Sequence, residues 1–239
     1  MDRYTRHQLK QDDFQEKMDA LQIFAEKHLK QIIVIGVAVI VMAGVGWWIR
    51  SYYAHQESVA NTELQAAITT FHAYVGSSQD AALMGSGEAY PTASAKYQKA
   101  LSQFSEVVKN YPRTEAGAYA LIQMGICQSQ LGNDTTAIKT LQNAAKNSNK
   151  GIASQAEFAL AGVLSKTGKT DEAEKIYQAL ANHPTTLVPR ATALLALADL
   201  YRAKQPKRAR EIYEQVQKEY GADAVIAESL KQQLSTLPQ

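Results

Sequence analysis

The chain has 239 residues, with 25 basic and 23 acidic side chains and one cysteine. A net charge of +2 excludes a broad field for nucleic acid, and a lone Cys127 excludes an internal disulfide in any redox compartment.

The first thirty-one residues are mostly polar. In "DDFQEKMDALQIFAEKHLKQ", Asp12 is the expected N-cap, and Phe14, Met18, Leu21 and Ala25 recur on one helix face. Such a helix either lies on a leaflet or runs, solvated, into the apolar stretch beyond it, and its acids weaken attraction to anionic lipid.

Ile32 to Ile49 is an unbroken apolar run of eighteen residues. As a helix rising ~1.5 Å per residue it is roughly 27 Å long, enough to cross a bilayer. The run exceeds a signal-peptide core, and no small-x-small cleavage site lies at its end. Instead Trp47, Trp48, Tyr52 and Tyr53 stand where amphipathic rings favour the membrane interface. The segment 32–49 therefore reads as an uncleaved transmembrane signal anchor; a buried soluble helix would rarely stay apolar on every side over five turns.

Basic residues resist translocation, so their distribution predicts orientation. Arg3, Arg6, Lys10, Lys17, Lys27 and Lys30 precede the run, whereas only Arg50 lies in the twenty residues after it. Residues 1–31 are expected to be cytoplasmic and 50–239 exported. The part after the run carries 19 basic and 17 acidic residues, and its 190 residues suit one domain or a short repeat array held by packing alone.

Three stretches there share a pattern: "AYALIQMGICQSQLGNDTTAIKTLQNAAKN", "AEFALAGVLSKTGKTDEAEKIYQALANHP" and "ATALLALADLYRAKQPKRAREIYEQVQKEY". A small residue is followed eleven or twelve positions later by alanine: Gly125 to Ala137, Ala161 to Ala173, Ala198 to Ala209. Four residues beyond each alanine stands a large side chain, Leu141, Tyr177 or Tyr213, and the alanines Ala137, Ala173 and Ala209 are 36 apart.

This pattern resembles the tetratricopeptide repeat (TPR), a helix–turn–helix unit whose small positions let paired helices approach closely. Gly132 and Gly168 suit the left-handed end of a first helix, Asp134 and Thr170 are expected caps of second helices, and Pro206 suits a first turn. An earlier unit ends in "ASAKYQKALSQFSEVVKNYPRTEAG", with Ala100, Phe104, Val108 and Pro112 in register and its first helix expected over Ser58 to Val75. Between them "GSSQDAALMGSGEAYPT" reads as a long mobile or contact loop. "DAVIAESLKQQLSTL" reads as a closing amphipathic helix. The expected fold is all-α: a single transmembrane helix, then a TPR-like α-solenoid of about four helix pairs with a C-terminal capping helix.

The order of charged N-terminal segment, "IIVIGVAVIVMAGVGWW", "AHQESVANTELQAAI" helix and repeats resembles the ancillary SecYEG translocon subunit family, inner-membrane proteins of bacterial envelopes. The resemblance implies a single-pass inner-membrane protein, N-terminus cytoplasmic and repeats periplasmic. It also implies partners among Sec translocon subunits, periplasmic chaperones or exported clients. The alternative is a structural envelope scaffold that self-associates through its repeats.

No motif points to catalysis or a cofactor. His7, His28, His55, His72 and His183 have no metal-ligand spacing, no glycine-rich phosphate loop occurs, and Cys127 reads as a buried small thiol. By the TPR pattern, first helices line the binding face at Tyr119, Ile122 and Ile126, at Phe158 and Gly162, and at Leu195 and Asp199; these are the expected partner contacts. The asparagine–lysine clamp by which some TPR domains grip acidic C-termini is absent, since Ile126, Gly162 and Asp199 occupy the asparagine-type position. The basic stretch "YRAKQPKRAR" reads as a solvated turn offset by Glu211 and Glu214, with an anionic surface as the other reading.

Overall fold

The computed structural model describes residues 3–77, 79, 81, 87–221 and 224–235. Two units divide the chain, Met1–His55 and Gln56–Gln239.

Within the first unit the backbone is helical from Arg3, in helix α1 (Arg3–His72). Asp12 therefore lies inside the helix and does not cap it, because the polar, Pro- and Gly-free stretch before it is itself compatible with helix. The expected stripe of Phe14, Leu21 and Ala25 lies outside the described side chains; Met18 is exposed. Among the described residues one helix, Lys27–His72, is long and apolar enough to cross a membrane, and none of its most apolar window is buried in the protein. Ile33, Val34, Ile40, Trp47 and Trp48 are all exposed. Eighteen consecutive apolar residues leave no polar face to turn toward water, which is the composition a lipid environment demands.

The second unit is an α-solenoid. The part of α1 from Gln56 onward pairs with α2 (Ala93–Asn110); α3 (Glu115–Gln130) pairs with α4 (Asp134–Ala144), α5 (Lys150–Lys166) with α6 (Thr170–Asn182), and α7 (Arg190–Tyr201) with α8 (Pro206–Tyr220). Helix α9 (Ala224–Ser235) packs on α8 and buries Leu230. From α2 onward each helix packs on the next, and α3 also touches α5, so these two first helices share a face.

The repeat register explains this packing. Ala100, Ala137, Ala161, Ala173, Ala198 and Ala209 are all 0% exposed, so the small positions lie where helices pass closest. Gly125 is the extreme case: a Cβ there would stand 2.7 Å from Leu141 Cγ. One core runs from Ala60, Leu64 and Ala67 through Phe104 to Cys127, and a second from Ile122 through Leu141, Tyr177 and Tyr213 to Leu230; α3 contributes to both.

Both turn glycines are left-handed, Gly132 and Gly168 each at φ +81°. Each closes a Schellman motif: Gly132 N–H donates to Ser129 O and Asn133 N–H to Gln128 O, and Gly168 N–H and Lys169 N–H donate to Ser165 O and Leu164 O. One residue then separates glycine from helix, so Asn133 and Lys169 take the N-cap positions without a side-chain cap bond, while Asp134 and Thr170 become first helical residues. Pro206 opens α8, as its fixed φ and missing N–H favour. Thr92, Thr114 and Asn149 cap α2, α3 and α5.

Two further features depart from expectation. The first helix of the first pair ends at His72, because β-prone Tyr74–Val75 (β1) pairs in parallel with Ala89–Tyr90 (β2) and pins the two ends of the long loop. Loop residues 78, 80 and 82–86 lie outside the described residues, as do Asp223, Thr236 and Leu237 of the closing segment. In α2 the buried valine is Val107, with Val108 only partly covered. Glu57 reaches α3 from 58 residues away and accepts the N–H of Glu115 at 2.8 Å and of Ala116 at 2.9 Å, answering two donors that a helix start leaves free.

Candidate functional site

Helices α3 and α5 leave an apolar groove between them. One hollow of about 250 Å³ is bordered by Tyr119, Ile122, Ile126 and Phe158, with Leu187 and Val188 of the α6–α7 connection at one end. A second, about 300 Å³, shares Ile126, Phe158 and Ala159 and continues to Gly162, Val163 and Tyr177. The shared residues make the two hollows one groove.

Five of the seven expected positions thus come together: Tyr119, Ile122, Ile126, Phe158 and Gly162. Ile122 is buried, Tyr119, Ile126 and Phe158 are half-buried, and Gly162 is exposed. Leu195 and Asp199 on α7 border neither hollow. Leu195 packs against the second core, and the Asp199 carboxylate accepts the hydroxyl proton of Tyr213, which orients it along its own repeat.

The groove's walls are mostly apolar; of the polar side chains that border it, Ser129 and Lys166 are paired, while among the described residues Gln155 Oε1 is buried without a hydrogen-bond partner. At one end Lys166 Nζ lies 3.0 Å from Asp134 Oδ1 and 3.1 Å from Ser129 Oγ, while Ser129 Oγ donates to Asp134 Oδ1 at 2.6 Å. Ser129's hydrogen bond, and then Lys166, hold the Asp134 carboxyl below its ordinary value. Tyr177 packs edge-on against Phe158, ring centroids 5.4 Å apart, and burial raises its hydroxyl's pKa to about 12.

The groove also contains residues that the repeat pattern alone does not mark. Leu187 is 47% exposed; its only signal is an apolar pair in an otherwise polar, proline-flanked connection, "HPTTLVPR". Tyr177 is legible as a large residue four positions after Ala173, but its opening onto the groove is not.

Elsewhere the surface offers less. Cys127 is 0% exposed and burial pushes its thiol up to about 12, the environment of an inert packing residue. Among the described residues no group of three His, Cys, Asp or Glu side chains is arranged to hold a metal. In the basic turn, Arg208 reaches Glu174 on α6 at 3.6 Å and stacks 4.2 Å over the Tyr201 ring, and Arg202 donates to Gln233 on α9. Arg208 also donates to Gln205 at 3.1 Å within the turn, so the stretch is tied both to itself and to the neighbouring helices α6 and α9.

No curated protein matches this chain. The sequence model of the tetratricopeptide repeat matches residues 119–148 and 192–222, which cover α3 with α4 and α7 with α8; the chain carries tetratricopeptide repeats, the architecture of protein–protein interaction modules.

Proposed function

We propose that this chain is a membrane-anchored, non-enzymatic interaction module of the bacterial cell envelope, working at the Sec translocon with periplasmic chaperones or emerging clients. In this reading 1–31 are cytoplasmic, 32–49 span the inner membrane and 50–239 form the periplasmic repeat domain. The observation that carries it is the apolar groove between α3 and α5, the kind of surface on which a segment of another protein docks. The basic flank before Ile32 and the exposed apolar stretch of α1 support the anchoring.

The groove is tested by replacing both Tyr119 and Phe158 with Ser in the full chain. Half-buried aromatic anchors commonly carry much of an interface's affinity, so recovery of envelope partners from solubilised membranes should be abolished while helical content is unchanged. Full recovery by a folded double variant would remove the groove as the contact. A separate reporter tests topology: an enzyme active only outside the cytoplasm should be active when fused after Gln239 and silent at the N-terminus. The reverse result would overturn the orientation.

A further inference from the structure

The hydroxyl of Tyr177 is left unused by the fold. Tyr177 is 5% exposed and borders the larger hollow. Among the described residues nothing hydrogen-bonds its hydroxyl, so the groove floor presents a neutral donor with no protein acceptor.

The next repeat along the chain supplies the contrast. Tyr213 stands 36 residues after Tyr177, and its hydroxyl donates to Asp199. The residue 37 before Asp199 is Gly162. Glycine at this register removes the acceptor and opens the space above the ring: a Cβ at Gly162 would meet only Tyr177 Oη, at 3.7 Å. A helix interior disfavours glycine, so nothing in the local backbone calls for it here. Gap and free donor therefore occur together at one position, beneath Phe158 and Val163.

The charges decide what fits. Lys166 at the rim is already held by Asp134 and Ser129, and the Asp199 carboxylate is near enough to raise the Tyr177 pKa further. Among the described residues no unpaired cation borders this hollow and its walls are mostly apolar, so a carboxylate entering it would lose its hydration without compensation. We infer that the hollow takes an extended, uncharged segment of a partner polypeptide, one bulky side chain filling the gap over Gly162 and one main-chain carbonyl accepting the Tyr177 hydroxyl. This rests on the groove reading proposed above and names its partner class.

The test uses the full chain in nanodiscs and fluorescence anisotropy with an end-blocked, dye-labelled dodecapeptide carrying two leucines in a serine–glycine background. A second peptide replaces the serines with glutamate. The neutral peptide should bind at least about tenfold tighter, since the hollow offers an incoming carboxylate no free cation. Gly162→Leu fills the gap with a strong helix former, so the fold should melt no lower while affinity for the neutral peptide falls at least about tenfold. Tyr177→Phe should weaken it about threefold or more by deleting the donor alone. Preference for glutamate, binding of neither peptide, or unaltered affinity in Gly162→Leu or in Tyr177→Phe would each overturn the assignment. The two readings fail separately. Partners retained by the folded Tyr119→Ser, Phe158→Ser variant overturn the groove itself, whereas partners lost there with normal peptide binding in Gly162→Leu overturn only the hollow.

Discussion

Ala173→Phe is expected to lower the thermal midpoint of the repeat unit. Ala173 is 0% exposed in α6, which packs against both α5 and α7. A phenylalanine at this fully buried position must push its neighbours apart, and overpacking of this kind costs about 1 to 3 kcal/mol or more. For a unit of this size each kcal/mol corresponds to roughly 2 to 4 °C. Repeat arrays are held by nearest-neighbour interfaces, so amide exchange should quicken in α5 and α7 as well as in α6. A melting curve coincident with that of the unaltered chain would mean that the alanines at 36-residue spacing do not mark the helix contacts.

The second large effect reverses a general rule. Exchanging glycine for alanine inside a helix ordinarily stabilises by roughly 0.8 to 1 kcal/mol. At Gly117, the third residue of α3, an added Cβ would stand 2.1 Å from the main-chain oxygen of Tyr111. That oxygen belongs to backbone and cannot swing aside, so the turn must open. Opening it endangers the Thr114 cap, whose hydroxyl oxygen accepts the Gly117 N–H at 2.9 Å, and the neighbouring bonds from Glu115 and Ala116 to Glu57. Gly117→Ala should therefore destabilise by about 2 to 4 kcal/mol, combining steric strain with a lost cap. Gly162→Ala should follow the rule, because its Cβ meets only Tyr177 Oη at an ordinary 3.7 Å. Urea titration of the two variants beside the unaltered chain measures both; equal shifts would contradict the geometry.

Most of the fold is legible because a tetratricopeptide array is built from local contacts. The small residue, the alanine about twelve positions on and the large residue four beyond it all report packing within one helix pair, and Ala137, Ala173 and Ala209 are buried accordingly. The glycine turns are legible for the same reason: a positive φ favours Gly, and Gly132 and Gly168 supply it. What escapes the sequence is the geometry between distant segments. Asp134 looks like a cap until the Schellman turn consumes the preceding residue and Lys166, 32 residues later, meets its carboxylate. Glu57 carries no local sign that it will serve the start of α3, and Arg208 finds Glu174 only because α8 lies beside α6.

The site divides in the same way. Tyr119, Ile122, Ile126, Phe158 and Gly162 lie on first helices at repeat-defined positions, so their common face is readable from spacing. Leu195 and Asp199 have the same spacing but stand one helix beyond the groove's two walls, and α7 contributes Thr192 to it instead. Tyr177 is missed because its role depends on what stands opposite, glycine in its own repeat and aspartate in the next.

A segment of another protein held in the groove between α3 and α5 would lie against Tyr119 and Phe158. Site-specific photo-crosslinking in native membranes tests this occupancy most directly, with the photoreactive residue placed at Tyr119 or Phe158 in the groove and at exposed Lys175 or Gln217 on second helices as controls. Discrete crosslinked partners are expected from both groove positions, lost when Gly162→Leu is added, and none from the controls. Equal crosslinking from all four positions, or crosslinks from Lys175 and Gln217 alone, would contradict it.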